Sequence, residues 1–151
     1  MVLSSPALAR ALSWIDRVKL AVGAVVAPNL AVHNGLDADK ISHDPEVVRA
    51  YKADPLNHDR VAPRLVRFIL DSGTLVRERA ASWRVPTLLL WAGADELVDP
   101  VGSRAFAAAA PRAVLEAREF PGLYHEIFNE AEPARSEVFA ALRGWLAAAV
   151  Q

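Results

Sequence analysis

Apolar positions along this chain follow two rhythms, and their order predicts an architecture. From Ala7 to about Val26 the spacing is helical: Leu8, Leu12, Ile15, Val18 (or Lys19), Val22 and Val25 recur at steps of three and four. Arg10, Asp16 and Arg17 lie off that stripe, as on an amphipathic helix. Its far end, Ala21 to Val26, is apolar nearly all round, and Pro28-Asn29 stops it. Leu30 to Asp44 has no period, and Asn34-Gly35 is a turn signal. Asp44-Pro45 opens a short helix through Val47, Val48 and Tyr51 to about Ala53, which Asp54-Pro55 ends. A third helix is predicted from Pro63 to Ser82, with Leu65, Phe68, Ile69, Leu75 and Val76 as its inner face and Gly73 as a point of interruption.

The second rhythm is that of strands. Thr87 to Trp91 is a near-continuous apolar run, the pattern of a parallel strand buried on both faces. Val2-Leu3 reads as a short strand, and Val114 to Phe120 as another, closed by Pro121-Gly122. Between the last two strands lies an alanine-rich helix from Pro100 to Ala110, with Asp99 as N-cap before a proline at the first helical position. The final helix, about Glu132 to Val150, is expected to bury Val138, Phe139, Leu142, Trp145 and Leu146. Strand, long helical excursion, strand, helix, strand, helix is the order of a parallel α/β sheet. The excursion exceeds an ordinary crossover and reads as an inserted helical cap.

Composition narrows the classes. At 151 residues, 53% hydrophobic and 23% charged, the chain suits a single domain with its own core. A formal net charge of -1 offers no broad basic field for nucleic acid. The absence of cysteine removes disulfides, thiolate metal sites and a Cys nucleophile, and fits a reducing compartment. The start lacks the basic n-region of a secretory signal, and the run Leu20 to Val32 is too short for a membrane span.

Candidate chemistry lies where the strands end. Asp95 follows the Thr87–Trp91 run, and His125 follows the next strand, so a parallel sheet sends both from one edge. A carboxylate beside an imidazole is the orienting acid and general base of a nucleophilic hydrolase. Acid before base is also the chain order of α/β-hydrolases, with Ser preceding both. Gly-x-Ser-x-Gly occurs nowhere in the 151 residues. Ser4, Ser5 and Ser103 do not stand in an elbow that would expose a hydroxyl. His125-Glu126 begins a zinc signature, but Asn129 occupies its second histidine position. His58 is read as loop packing despite Asp54 and Asp59 nearby, and Glu126 as structural. His33 and His43 have no acidic grouping of convincing spacing, and Trp83 and Trp91 are expected to pack the sheet.

Four segments carry a resemblance: Leu3-Ser4-Ser5-Pro6-Ala7-Leu8, Asp54-Pro55-Leu56-Asn57-His58, Gly93 to Pro100, and Phe120 to Glu130. Together they resemble the monoacylglycerol lipase and lysophospholipase group of α/β-hydrolases, the serine aminopeptidase S33-like family, from Val2 to the chain's end. The resemblance implies the C-terminal part of an α/β-hydrolase sheet, about three strands with flanking helices. Residues 1–151 would form a partial hydrolase domain, with 7–62 as a helical cap within it. Asp95 matches the triad acid and His125 the triad base. The nucleophile and oxyanion segment match nothing in this chain, so alone it is expected to be inactive. No metal or organic cofactor is implied.

The expected substrate of the intact enzyme is a small lipid ester, a monoacylglycerol or lysophospholipid. The resemblance leaves open a non-catalytic scaffold protein derived from a hydrolase, or one half of a split hydrolase. The expected location is cytoplasmic. The stretch Ala21 to Val32 has two readings, core or a lid surface in peripheral membrane contact. An unpaired edge at Val2-Leu3 is expected to promote association.

Overall fold

The computed structural model describes residues 1–10 and 12–149. Three parallel strands form the main sheet: β1 (Val2–Ser4), β4 (Thr87–Ala92) and β5 (Leu115–Phe120). Their spatial order is β1-β4-β5, with Leu3 beside Leu89 and Leu89 beside Ala117. Between β1 and β4 the chain makes α1 (Trp14–Val26), β2 (Val32–His33), α2 (Pro45–Ala53), β3 (Arg60–Val61) and α3 (Pro63–Glu78). α4 (Val101–Ala109) connects β4 to β5, and α5 (Ala134–Ala149) follows β5.

β4 is buried at every position because both of its faces are covered. The pleat divides its side chains between two cores. Leu89 and Trp91 join Leu8, Phe106 and Leu115 on the face covered by α4, with Val76 of α3 packed against them. Leu88, Leu90 and Ala92 join Phe120, Ile127 and Val138 on the face covered by α5. The result is a sheet between helical layers, as the strand–helix alternation predicts. Trp83 packs against the first core, where its indole N–H reaches Thr87 Oγ1 at 3.0 Å.

Several expectations are corrected. The first helix begins at Trp14 rather than Ala7, with Ser13 as N-cap accepting the Asp16 N–H. Residues 7–9 instead thread between α3 and α4. A Cβ on Gly73 would stand 2.8 Å from the Ala7 and Leu8 carbonyl oxygens, and one on Gly102 would stand 2.5 Å from Ala9 N. A helix, ~10 Å across with its side chains, has no room in that gap. Gly73 therefore sits inside an unbroken α3 as a contact point.

The helical stripes also face other ways than expected. α1 buries no residue, and Trp14 (73% exposed) and Val26 (77%) face solvent with Val18, Val22 and Val25. On α3, Leu65, Phe68, Ile69 and Leu75 are exposed, and of the expected inner face only Val76 joins the core. α3 ends at Glu78 and a short 3-10 turn completes the stretch to Ser82. On α5, Val138 is buried, but Phe139 and Leu146 are exposed. The end expected at Val150 lies outside the described residues. α4 starts one residue later than predicted, although Asp99 Oδ1 still accepts the Val101 N–H at 2.9 Å. The small antiparallel pair β2–β3, with Val32 beside Val61, falls in stretches that carry no strand pattern.

Candidate active site

β4 and β5 run parallel and end level, Ala92 beside Phe120, so the loops that follow them leave the same edge. The β4 loop carries Asp95, whose Oδ1 accepts the N–H groups of Leu97 and Val98, both at 2.9 Å. Those two bonds fix the carboxylate's orientation and leave Oδ2 to receive His125 Nδ1 at 2.7 Å. The Asp95 side chain is 3% exposed and that of His125 29%, so the acid is enclosed and the imidazole meets solvent. With Nδ1–H donating to Asp95, the neutral ring keeps its basic lone pair on Nε2.

The floor of the His125 loop is a second buried carboxylate, unremarked in the sequence pattern. Glu130, 1% exposed, accepts the Tyr124 N–H at 2.6 Å and the His43 N–H at 2.9 Å, and faces His43 Nδ1 at 2.9 Å. Burial alone would push the Glu130 carboxyl up. The two backbone N–H groups and His43 outweigh it and hold the group below the usual carboxylate range. The His43 ring stacks on Tyr124 with centroids 3.7 Å apart. Ser42 Oγ donates to the Asn129 carbonyl at 2.8 Å, and the Glu126 N–H to the Ile41 carbonyl at 2.8 Å. Lys40 reaches Glu96, the neighbour of Asp95, at 2.7 Å. Residues 40–43 thus strap both site-bearing loops together.

His43 is therefore not isolated, contrary to its reading in the sequence, because its acidic partner lies 87 positions away. His33 likewise faces Asp59, at 3.3 Å. The signal for Glu130 was its place in the Phe120–Glu130 segment, five residues after His125, but spacing alone does not reveal which backbone groups it serves. His58 Nδ1 accepts the Arg60 N–H at 3.3 Å within its own loop. Glu126 Oε2 accepts from Asn129 Nδ2 at 2.7 Å. Ser5, whose φ is +38°, is buried with Oγ turned to the Ala92 N–H at 3.3 Å, and Ser103 is buried within α4.

His125 lines a cavity of about 910 Å³ between the helical excursion and the sheet edge. Its walls are largely apolar, with Leu12, Leu20, Val32, Ile41, Val66 and Leu70 among them. Arg10, Asp16, Lys19, Arg60 and Glu126 also contribute to its lining, and a mainly apolar chamber with a few polar groups is the usual form of a small-molecule site. Among the described residues no helix is long and apolar enough to cross a membrane.

Comparison with known proteins gives the setting. Residues 1–132 match the family model described as serine aminopeptidase, S33. A monoacylglycerol lipase of Mycolicibacterium smegmatis is 40% identical over 136 residues, 87% of this chain and 48% of that protein. A phospholipase of Bacillus subtilis is 35% identical over 150 residues, 96% of this chain and 56% of that protein. The crystal structure of a monoacylglycerol lipase from Paleococcus ferrophilus superposes with a TM-score of 0.88 at 34% identity, covering 96% of this chain and 57% of that one. The chain thus spans about half the length of the relatives it matches.

Proposed function

The chain belongs to the serine aminopeptidase S33 family of α/β-hydrolases, and on that premise we propose that it supplies the acid and base of a serine hydrolase acting on single-chain acyl esters of glycerol or glycerophosphate. The observation that carries the reading is the Asp95–His125 pair at 2.7 Å, with the imidazole in the wall of an apolar cavity. Asp95 is the orienting acid: held by two backbone N–H groups, it selects the tautomer that leaves Nε2 basic. His125 Nε2 takes the proton of a serine hydroxyl as that oxygen attacks the ester carbonyl. It then returns the proton to the departing glycerol oxygen, and in the second half-cycle it activates water to release the fatty acid. The acyl chain occupies the apolar cavity, beneath a cap formed by residues 12–62; the expected start at residue 7 moves because Leu8 belongs to the core. The nucleophile and the oxyanion donors belong to residues outside these 151.

A chimera tests this. These residues replace the matching 136-residue region of the Mycolicibacterium smegmatis lipase. The chimera should hydrolyse a monoacylglycerol, and Asp95→Asn or His125→Ala should each lower kcat by about 10³- to 10⁴-fold without unfolding the protein. Undiminished turnover in a folded His125→Ala chimera would sink the assignment. A fluorophosphonate should leave the 151-residue chain unlabelled; a modified serine in it would place the nucleophile here instead.

A further inference from the structure

Adjoining the apolar cavity is a second cleft, of about 480 Å³, whose character is different. It lies between α1 and α3. On α3 the positions 67, 70, 71, 74 and 77 recur at three and four and so share one face, opposite positions 17, 20 and 21 of α1. Leu20 and Leu70 line both cavities, so the cleft and the apolar chamber have a common wall. Four arginines, Arg10, Arg17, Arg67 and Arg77, line it with a single acidic residue, Asp71.

The arginine contacts anchor the arms without using them up. Arg17 Nε donates to the Leu12 carbonyl at 3.4 Å, Arg67 Nε lies 3.5 Å from Asp71, and Arg77 donates to the Leu8 carbonyl and, at 3.4 Å, to Thr74 Oγ1. Each guanidinium carries five N–H donors in a planar fork, so most remain for a ligand. In a chain of net charge -1, four like charges around one cleft repel unless an anion joins them.

We infer that this cleft is a phosphate-binding site. A phosphate's several oxygens accept more than one guanidinium fork at once, which a carboxylate with two oxygens does less well. The phosphate arrives either as the head of a single-chain lipid whose tail lies across the common wall in the apolar cavity, or as free inorganic phosphate. The first source rests on the function proposed above; the second does not.

Calorimetric titration of the 151-residue chain separates them. Three probes are used: lauroyl-glycerol phosphate and lauroylglycerol, both below their micellar concentrations, and inorganic phosphate alone. The comparison variant is R17Q/R67Q, whose two substituted side chains are exposed, with its fold checked by circular dichroism. The phosphate lipid should bind about tenfold tighter than the neutral lipid, and the variant should erase that preference while leaving neutral-lipid affinity within about twofold. Inorganic phosphate binding as tightly as the phosphate lipid, and lost in the variant, supports the same cleft with free phosphate as its ligand. If phosphate binds there and neither lipid binds, the cleft stands and the acyl-cavity reading falls. Equal affinity for both lipids, unchanged in the variant, overturns the phosphate site and leaves the cavity reading intact. Binding of no probe overturns both.

Discussion

Asp95 and Glu130 are two buried carboxylates with different tasks, and their surroundings decide which is which. Asp95 spends one oxygen on its own loop and the other on His125. Glu130 spends both on backbone N–H groups and on His43, and is tied to no exposed ring that opens on the cavity. Glu130→Gln keeps the shape and removes the charge from these donors. It should lower stability near neutral pH by about 1–3 kcal/mol, read from urea unfolding. The sign of the pH dependence follows from the lowered native value. The contribution is complete above the usual carboxylate value of 4.5 and is lost as pH falls through the lower native one. The wild-type and variant curves should therefore converge in acid. A gap that stays constant down to about pH 3 would mean that the charge is not what the donors require. Asp95 and His125 were legible in the sequence because each directly follows a strand. Glu130 was not, because beside the nearby Tyr124 N–H it serves His43, 87 positions earlier.

Among the elements, α1 shows best how a correct period can carry a wrong orientation. Its apolar stripe is real, yet the helix buries no residue, because its contact with α3 is made through a small position. Gly23 meets the Pro63 ring, with Cγ 3.4 Å from where a Cβ would stand. The larger residues are left outside: Trp14, Val18, Val22, Val25 and Val26, joined on α3 by Leu65 and Phe68. On α1, Arg17 follows Trp14 by three positions and Lys19 precedes Val22 by three, so basic groups border the exposed face, which suits an anionic lipid surface. The triple variant W14S/V22S/V25S should bind anionic phospholipid vesicles at least about tenfold more weakly than the wild type, at unchanged helicity. Vesicle cosedimentation that is the same for both proteins would count against membrane contact. The sequence left core and lipid surface as equal readings of Ala21 to Val32; for Val22, Val25 and Val26 the structure removes the core reading, since all three are exposed.

At the scale of the molecule, the sheet has a strongly built centre and two open edges. β4 is covered on both faces and paired on both sides, whereas β1 and β5, among the described residues, each pair with β4 alone. An edge strand with free backbone donors and acceptors invites another chain. The 151-residue chain should therefore associate as its concentration rises, measured by sedimentation velocity. Val2→Lys, at an exposed edge position, should shift it towards monomer. A monomeric wild type with a sharp, reversible unfolding transition would refute this.

Local chemistry determined what the sequence could determine by itself. The apolar run of β4, the Asp-Pro and Pro-Gly stops, and the Asp95 and His125 positions after strands depend on neighbours a few residues away. Those features yielded the parallel α/β class and the placing of Asp95 and His125 at one sheet edge. Tertiary packing alone decided the rest. Residues 7–9 are not helical because α3 and α4 close on them at Gly73 and Gly102, not because their own spacing is unhelical. The stripes of α1 and α3 turn outward because helix orientation is set by what each helix meets, and periodicity carries no information about its neighbour. Glu130, His43 and Lys40 form a strap, and the four arginines a cleft, only because distant segments are folded together. A charge or a carboxylate acquires its role from donors that the fold, rather than the local sequence, brings within hydrogen-bonding distance.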